Sequence, residues 1–511
     1  MKSINHRTFA VFCAATSFFA VCNFVSAQDA PAGDAPEIRT PPAPHTPRIN
    51  GPDIFGVRPE HPFLYHIPAT GDRPMTFSAD NLPSGLQVDP QTGNITGTIR
   101  KSWFGKHDYV VTFHAKNSLG ESEKKFKIVV GETIALTPAM GWNSWNHYAN
   151  RITQDIVLQN AQAMADSGLI NYGWTYVNID DTWQGRRGGQ FHGLQGNEKF
   201  PDIGKLCSQI HALGLKFGIY STPWETSYAG FPGGSSENPD GMWTPKQPYR
   251  LGWAMGKHHF YTNDADQWGA WGVDYLKFDW YPIEFPETLE MYDALRHSGR
   301  DIVFSLSNTM NITNGATCGK IANSWRTTGD IKANWASMSQ RGFGQDKWRQ
   351  YSSPGHWNDP DMLEIATKEW KEPGLTPNEE YTHMTLWCML EAPLLLANDL
   401  SNMDAFTLNL LENDEVLAVS QDSLGDQAVQ VAGGDGWKVY AKKMEDGSKA
   451  VGIFNTGTNG TITVTVKWGD LKISGDQSVR DLWRQKDLGK FNGEFSMHVE
   501  PHSAELVKIS P

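Results

Sequence analysis

Three textures of apolar and polar residues follow one another along the chain. Between about 51 and 131, short runs alternate apolar with polar residues, as in YVVTFHA at 109–115 and KFKIVV at 125–130, with Gly, Asn and Pro between them. Period-two alternation turns one face of each run inward, so residues 51–131 are expected to form a small β-sandwich. From 136 to 415 the runs are apolar throughout and end in polar groups: YVNIDD at 176–181, LKFGIY at 215–220, VDYLKFDW at 273–280, IVFSLS at 302–307 and LLLAND at 394–399. Strands buried on both faces read this way, and the helical stretches at 153–167 and 204–213 between them predict βα units around a parallel sheet. About eight candidate strands fit a (β/α)8 barrel better than an open sheet. After 416 the alternation returns, in WKVYA at 437–441 and ITVTV at 462–466, and a C-terminal antiparallel sandwich is expected over 416–511. The fold class is thus multidomain α/β, a TIM barrel flanked by two β-sandwiches.

A barrel of this kind does its chemistry at the C-terminal edge of its strands, so the polar groups ending those runs describe one shared pocket. Asp279 closes the run at 273–280, with Lys277 two residues earlier on the same side of the strand. The positive charge would favour an ionised carboxylate; a strand-end ion pair is the plainer reading. Adjacent Asp180 and Asp181 suit a cation site or a helix cap. Asp359 and Asp361, around Pro360, look equally able to serve as an acid or as metal ligands, but no His stands at ligand spacing, so neither a metal nor a cofactor is expected. The segment 222–250, rich in Gly, Ser and Pro, is too long for an ordinary βα connection and is a candidate substrate-shaping loop.

Composition narrows the picture further. The net charge is -13 and no Lys/Arg block occurs, which argues against nucleic acid as a partner. Twenty Trp residues offer flat faces for sugar rings, although a large core uses Trp as well. Residues 1–27 carry Lys2 and Arg7, an apolar segment from 9 to 24, and Val25, Ser26 and Ala27, the pattern of a cleavable secretory signal. Cys22 is preceded by Phe19, Ala20 and Val21, a poor context for lipidation. A secreted or periplasmic location is expected, with no transmembrane segment in the rest of the chain. Residues 28–50, with six prolines from Pro31 to Pro47, read as an extended linker. Cys207, Cys318 and Cys388 are odd in number and widely spaced, which indicates neither a disulfide framework nor a zinc site.

Two resemblances add to these readings. LPSGL at 82–86 followed by DPQTGNITGT at 89–98 resembles the Ig-like modules of bacterial surface and secreted proteins, which serve as spacers or dock to a cell surface or glycan. MGWNSW at 140–145, NIDDTW at 178–183, KFGIY at 216–220, DYLKFD at 274–279 and WNDPDML at 357–363 resemble glycoside hydrolase family 27, the retaining α-galactosidases and α-N-acetylgalactosaminidases. With Trp325, Arg326 and the APL at 392–394, the likeness runs from about 136 to 425. It implies an exo-acting retaining α-galactosidase without cofactor, with an α-galactoside oligo- or polysaccharide as substrate. It also implies Asp279 as nucleophile and Asp330 as acid; the residues alone rank Asp359 or Asp361 equally with Asp330. An acid that stays protonated calls for an apolar or anionic setting. Asp180 and Asp181 would receive the 4- and 6-hydroxyls of galactose, Trp145 would wall the ring, and Tyr220 and Arg326 would meet further hydroxyls. Trp142 and Trp183 suit the core as well as the site.

Three departures from the family pattern bear on specificity. Thr182 and Trp280 stand where eukaryotic members carry cysteines. The segment reading the sugar 2-position is SLSNTM at 305–310, with Ser307 in place of the Glu of plain α-galactosidases, while the bulk of Met310 is expected to exclude a 2-acetamido group. The long 222–250 loop is the third. The alternatives are a related α-glycosidase, acting on α-N-acetylgalactosaminides, β-L-arabinopyranosides or isomalto-linked glucans, and a non-catalytic sugar-binding protein. No Gly-x-Ser-x-Gly elbow and no phosphate-binding loop occur.

Overall fold

The apolar runs pair side by side in chain order. A computed structural model describes residues 36–100, 108–242, 249–367 and 372–511; the expected secretory signal at 1–27 and residues 28–35 of the proline-rich stretch lie outside them. The barrel strands are β1 (Met140–Asn143), β2 (Tyr176–Asn178), β3 (Lys216–Ser221), β4 (Tyr275–Asp279), β5 (Val303–Ser307), β6 (Ser324–Arg326), β7 (Trp357–Asp359) and β8 (Leu394–Leu396). They form one eight-stranded sheet in the order β7-β6-β5-β4-β3-β2-β1-β8, every pair parallel. A further bridge between Leu363, just past β7, and Leu396 in β8 joins the two ends of the curled sheet. Because both faces are covered, the strands are buried almost throughout, which explains their continuous apolar runs.

Helices cover the outside where the sequence places them. The first, Gln154–Asp166, starts at Thr153, whose side chain accepts a hydrogen bond from the Ile156 amide; the second, Ile203–Ala212, is capped in the same way by Asp202. Helix Pro377–Leu390 opens with a capping box between Thr376 and Glu379 and is buried from Glu379 to Leu390. It has no solvent face because it packs against the strands Trp437–Lys443, Lys449–Asn455 and Ala504–Ser510 of the C-terminal sandwich as well as on the barrel helices. The expected boundary at 415–416 falls inside helix Asp414–Ser420, which Asn413 caps, so the helical part runs on to Ser420.

Each flanking sandwich has its own core. Phe63, Tyr65, Ile95, Phe113 and Phe126 fill the N-terminal one, and Val439, Val451, Val464, Phe495 and Val507 the C-terminal one. The N-terminal module sits against the end of the barrel where the strands begin. The Arg58 amide donates to Asp301 Oδ2 at 2.9 Å and His61 Nδ1 lies 2.9 Å from Asp301 Oδ1, while Asn50 Nδ2 donates to the Asn171 carbonyl at 2.8 Å. One face of this Ig-like module is therefore occupied by the barrel. The described part of the expected linker is extended but bound: Arg39 Nη1 donates to the Ala504 carbonyl at 2.9 Å, and its guanidinium lies 4.0 Å from the Tyr381 ring centre.

Asp274, immediately before β4, ties three strands together at their N-terminal ends. Its carboxylate accepts from Arg300 Nη2 at 2.6 Å, from His211 Nε2 at 2.8 Å and from the β3 amide of Phe217 at 2.9 Å. Burial alone would raise its pKa; Arg300 and His211 outweigh that and lower it from 3.8 to about 2. A carboxylate with a depressed folded-state pKa stabilises the fold above its ordinary value and loses that stabilisation as the pH falls toward the folded value. Asp274 should thus contribute about 2 kcal/mol at neutral pH. Urea unfolding should find Asp274→Asn less stable than wild type at pH 7, with the deficit shrinking in acid; an equal deficit at every pH would contradict this.

Candidate active site

Nine residues expected in the pocket line one cavity of about 470 Å³ at the C-terminal edge of the barrel: Trp145, Asp180, Asp181, Tyr220, Lys277, Asp279, Ser307, Arg326 and Asp330. Strand register assembles them. Asp279 lies opposite Ser307, Tyr220 opposite Lys277, and Arg326 opposite Asp359.

The GWNS segment at the end of β1 serves its neighbour β2. Asn143 Nδ2 donates to Asp180 Oδ2 at 3.0 Å, and Ser144 Oγ accepts from the Asp180 amide at 2.9 Å. Lys277 Nζ reaches the same Asp180 oxygen at 2.7 Å, so the cation beside the paired aspartates is the chain's own ammonium. Burial works against that ammonium, but Asp180 and then Asp279 more than compensate and raise its pKa. Asp181 accepts from the Thr182 amide at 2.6 Å and, across the cavity wall, from the Ala229 amide at 2.9 Å. Burial nevertheless pushes its pKa up to about 6, against the pull of its Ser227 and Ala229 donors. The Tyr220 hydroxyl is buried in the cavity wall beside Asp279, and burial and then the Asp279 charge raise its pKa.

Asp279 is 9% exposed. Burial raises its pKa, and Lys277 and Asn308 pull against it without reversing the shift. Lys277 does pull Asp279 toward the ionised form, as expected, but burial outweighs it: its hydrogen bond goes to Asp180, and it acts on Asp279 through space. Asn308 Nδ2 makes the direct contact, 2.8 Å from Asp279 Oδ1.

Asp330 departs further from expectation. Its side chain is 88% exposed and lies 3.2 Å from Arg326 Nη2. Partial desolvation raises its pKa, but Arg326 and then Lys277 lower it by more. The setting is polar and cationic rather than apolar or anionic, because the loop after β6 carries Asp330 out of the sheet toward the cavity mouth. The two aspartates near Pro360 separate in role. Asp359 is buried, with a pKa raised to about 6 by burial, and does not line the cavity; it holds the turn by accepting from the Asp361 amide at 2.8 Å. Asp361 does line the cavity, paired with Arg326 Nη2 at 2.8 Å and accepting from the Ile331 amide at 2.8 Å. Arg326 and Asp361 together thus fix the segment bearing Asp330.

Met310 is corrected outright. It is 3% exposed within the barrel core and does not line the cavity, so it cannot screen a 2-substituent. Trp142 and Trp183 are core residues too. Missed in the sequence were Asn146, Tyr228, Asn308, Met362 and Glu372. The unusual length of the 222–250 loop pointed toward Tyr228, and Asn308 stands inside the 305–310 segment expected at the sugar 2-position. Residues 243–248 of that loop lie outside the described residues. Among the described residues, no group of three or more His, Cys, Asp or Glu side chains is placed to hold a metal ion.

Carboxyl groups held in unlike environments at the strand ends of a parallel barrel are the equipment of a glycoside hydrolase. The profile of the alpha galactosidase A family matches residues 137–240 and 250–422, that of the alpha galactosidase C-terminal beta sandwich domain matches 434–509, and that of the "Putative Ig domain" matches 46–131. The chain belongs to the α-galactosidase (melibiase) family, glycoside hydrolase family 27. It is 36% identical to an α-galactosidase of Oryza sativa subsp. japonica, over 74% of this chain and 86% of that one. Among solved structures, a "putative alpha-galactosidase/melibiase" of Bacteroides fragilis aligns with a TM-score of 0.82 at 32% identity, over 93% of this chain and 100% of that one. A β-L-arabinopyranosidase of Geobacillus stearothermophilus aligns with a TM-score of 0.61 at 30% identity, over 74% and 97% of the two chains.

Removing the Lys277 charge should release two carboxylates at once. Lys277→Met is expected to move the acid limb of the kcat/KM profile to higher pH by about one unit, because an opposite charge nearby favours ionisation. An unmoved limb would show that Lys277 acts on Asp180 alone.

Proposed function

We propose that the protein is a retaining exo-α-galactosidase, with Asp279 as nucleophile and Asp330 as acid and base. The observation that carries this reading is the pairing, within one cavity, of a buried carboxylate beside an ammonium with a second carboxyl at the mouth. An oxygen of Asp279 attacks the anomeric carbon; the bond to the aglycone breaks, and Asp330 gives its proton to the departing oxygen. Water then attacks the same carbon, Asp330 takes a proton from it, and the ester bond to Asp279 breaks, which restores the α configuration. Asp279 has the raised pKa and Asp330 the lowered one, so the form with Asp279 ionised and Asp330 protonated is a minor one in the open pocket. A sugar bound over Asp330 would exclude water from it and favour the protonated acid.

Asp180 and Asp181 are proposed to receive the 4- and 6-hydroxyls, Trp145 to wall the ring, and Tyr220 and Arg326 to meet further hydroxyls. Ser307, beside Asp279, is proposed to face the 2-position. The apolar segment and cleavage pattern at 1–27 support an exported enzyme; no helix among the described residues is long and apolar enough to cross a membrane.

Two measurements test the reading. Across nitrophenyl glycosides, the α-galactoside should exceed the α-glucoside in kcat/KM at least about tenfold, because an equatorial 4-hydroxyl leaves a buried acceptor unpaired. The first-formed sugar should be the α anomer by proton NMR. A β anomer, or preference for the α-glucoside, α-N-acetylgalactosaminide or β-L-arabinopyranoside, would replace this assignment.

The two carboxyl roles separate kinetically. Asp279→Asn should abolish turnover of every substrate, by roughly four orders of magnitude or more. Asp330→Ala should retain far more activity on aryl glycosides with good leaving groups than on oligosaccharides, since such groups need little protonation. Equal losses on both would remove Asp330 from the role of acid.

A further inference from the structure

Asn308 is the first residue after β5, and its backbone lies at φ +82°, a conformation that glycine adopts freely and other residues avoid. Non-glycine residues held in this region cluster at functional sites, where their surroundings over-determine them. Its side chain supplies a reason. Asn308 Nδ2 donates to Asp279 Oδ1 at 2.8 Å and to the Tyr228 hydroxyl at 3.1 Å, so both amide hydrogens are used. An ionised carboxylate only accepts, which fixes the amino end of Asn308 toward Asp279.

Tyr228 is held in turn. Its ring packs edge-on against Trp224 and Trp253, with centroids 5.1 and 4.9 Å away, and the next residue, Ala229, donates its amide to Asp181 at 2.9 Å. The tip of the long loop therefore bonds Asp181 directly and reaches Asp279 through Asn308. Lys277, the nearest cation, is hydrogen-bonded to Asp180 and does not orient Asp279 directly.

We propose that Asn308, locked by Tyr228, is a positioning residue that orients the Asp279 carboxylate and leaves its second oxygen to attack. This rests on Asp279 being the nucleophile. As that second oxygen bonds to the anomeric carbon, the bond to the aglycone breaks and its electron pair leaves with the aglycone oxygen. Oδ1 becomes the ester carbonyl and keeps its hydrogen bond to Asn308. The donor thus serves the ionised nucleophile and the ester alike, while holding the carboxyl plane in the orientation for attack.

Asn308→Gly removes the amide and suits the backbone at this φ, so the fold is preserved. We expect kcat to fall about thirtyfold or more with KM within about threefold, as for an interaction that acts on the reacting group. The acid limb of kcat/KM should move to higher pH, because a donor favouring the ionised carboxylate is lost. Tyr228→Phe keeps the ring packing and frees Asn308; kcat should fall about three- to tenfold with a limb shift in the same direction. Wild-type kcat and limb in Asn308→Gly, or a loss confined to KM, would overturn the proposal. Trapping the glycosyl-enzyme with a fluorinated galactosyl inhibitor, followed by peptide mass analysis, separates the two ideas. A label on Asp279 with unaffected Asn308→Gly kinetics sinks the positioning role alone. A label on another residue sinks the nucleophile reading and this proposal with it.

Discussion

The Lys277 ammonium is the charge around which the cavity floor is built. Asp180 and Asp181 after β2 and Asp279 at the end of β4, on either side of β3, are all buried, and withdrawing ionised carboxylates from water is costly unless a cation and hydrogen-bond donors replace the solvent. Lys277 stands between two of them, bonded to Asp180 and acting on Asp279 through space. Arg326, two strands further round, repeats the arrangement for Asp361 and Asp330. These two cations let one barrel edge carry so many carboxyl groups and still keep their environments distinct.

That distinctness depends on where each carboxyl leaves the backbone. Asp279 is still within its strand and is shut off from solvent, whereas Asp330 comes four residues after β6 on a loop and reaches the mouth. The loop is held by Asp361, which pairs with Arg326 and accepts from the Ile331 amide. The flanking modules act on the scaffold rather than on the cavity. One abuts the beginnings of the strands through Asp301 and Asn171, and the other clasps helix Pro377–Leu390 on its outer side. The long loop after β3, by contrast, belongs to the cavity, because Tyr228 lines it and Ala229 bonds to Asp181.

The sequence by itself determined the barrel, its two sandwiches and nine residues of the cavity. Burial on both faces leaves apolar runs that are readable without coordinates, and strand-end chemistry falls at the last residues of those runs, so Asp180, Lys277, Asp279 and Ser307 follow from pattern and motif. Only the tertiary structure decided which charges meet. Lys277 is two residues from Asp279 but hydrogen-bonds to Asp180, 97 positions away, because the register of parallel neighbours and not distance along the chain sets contact. Met310, expected from the sequence to face a substrate, is buried in the core, whereas Asn308, at a left-handed position just after β5, lines the cavity. The apolar or anionic setting that a protonated acid calls for is not the one Asp330 has, which is exposed and cationic, since solvent exposure depends on how far a loop departs from the sheet. Local pattern records what each strand buries; the charge balance of a pocket is a sum over segments distant in sequence, and only folding brings its terms together.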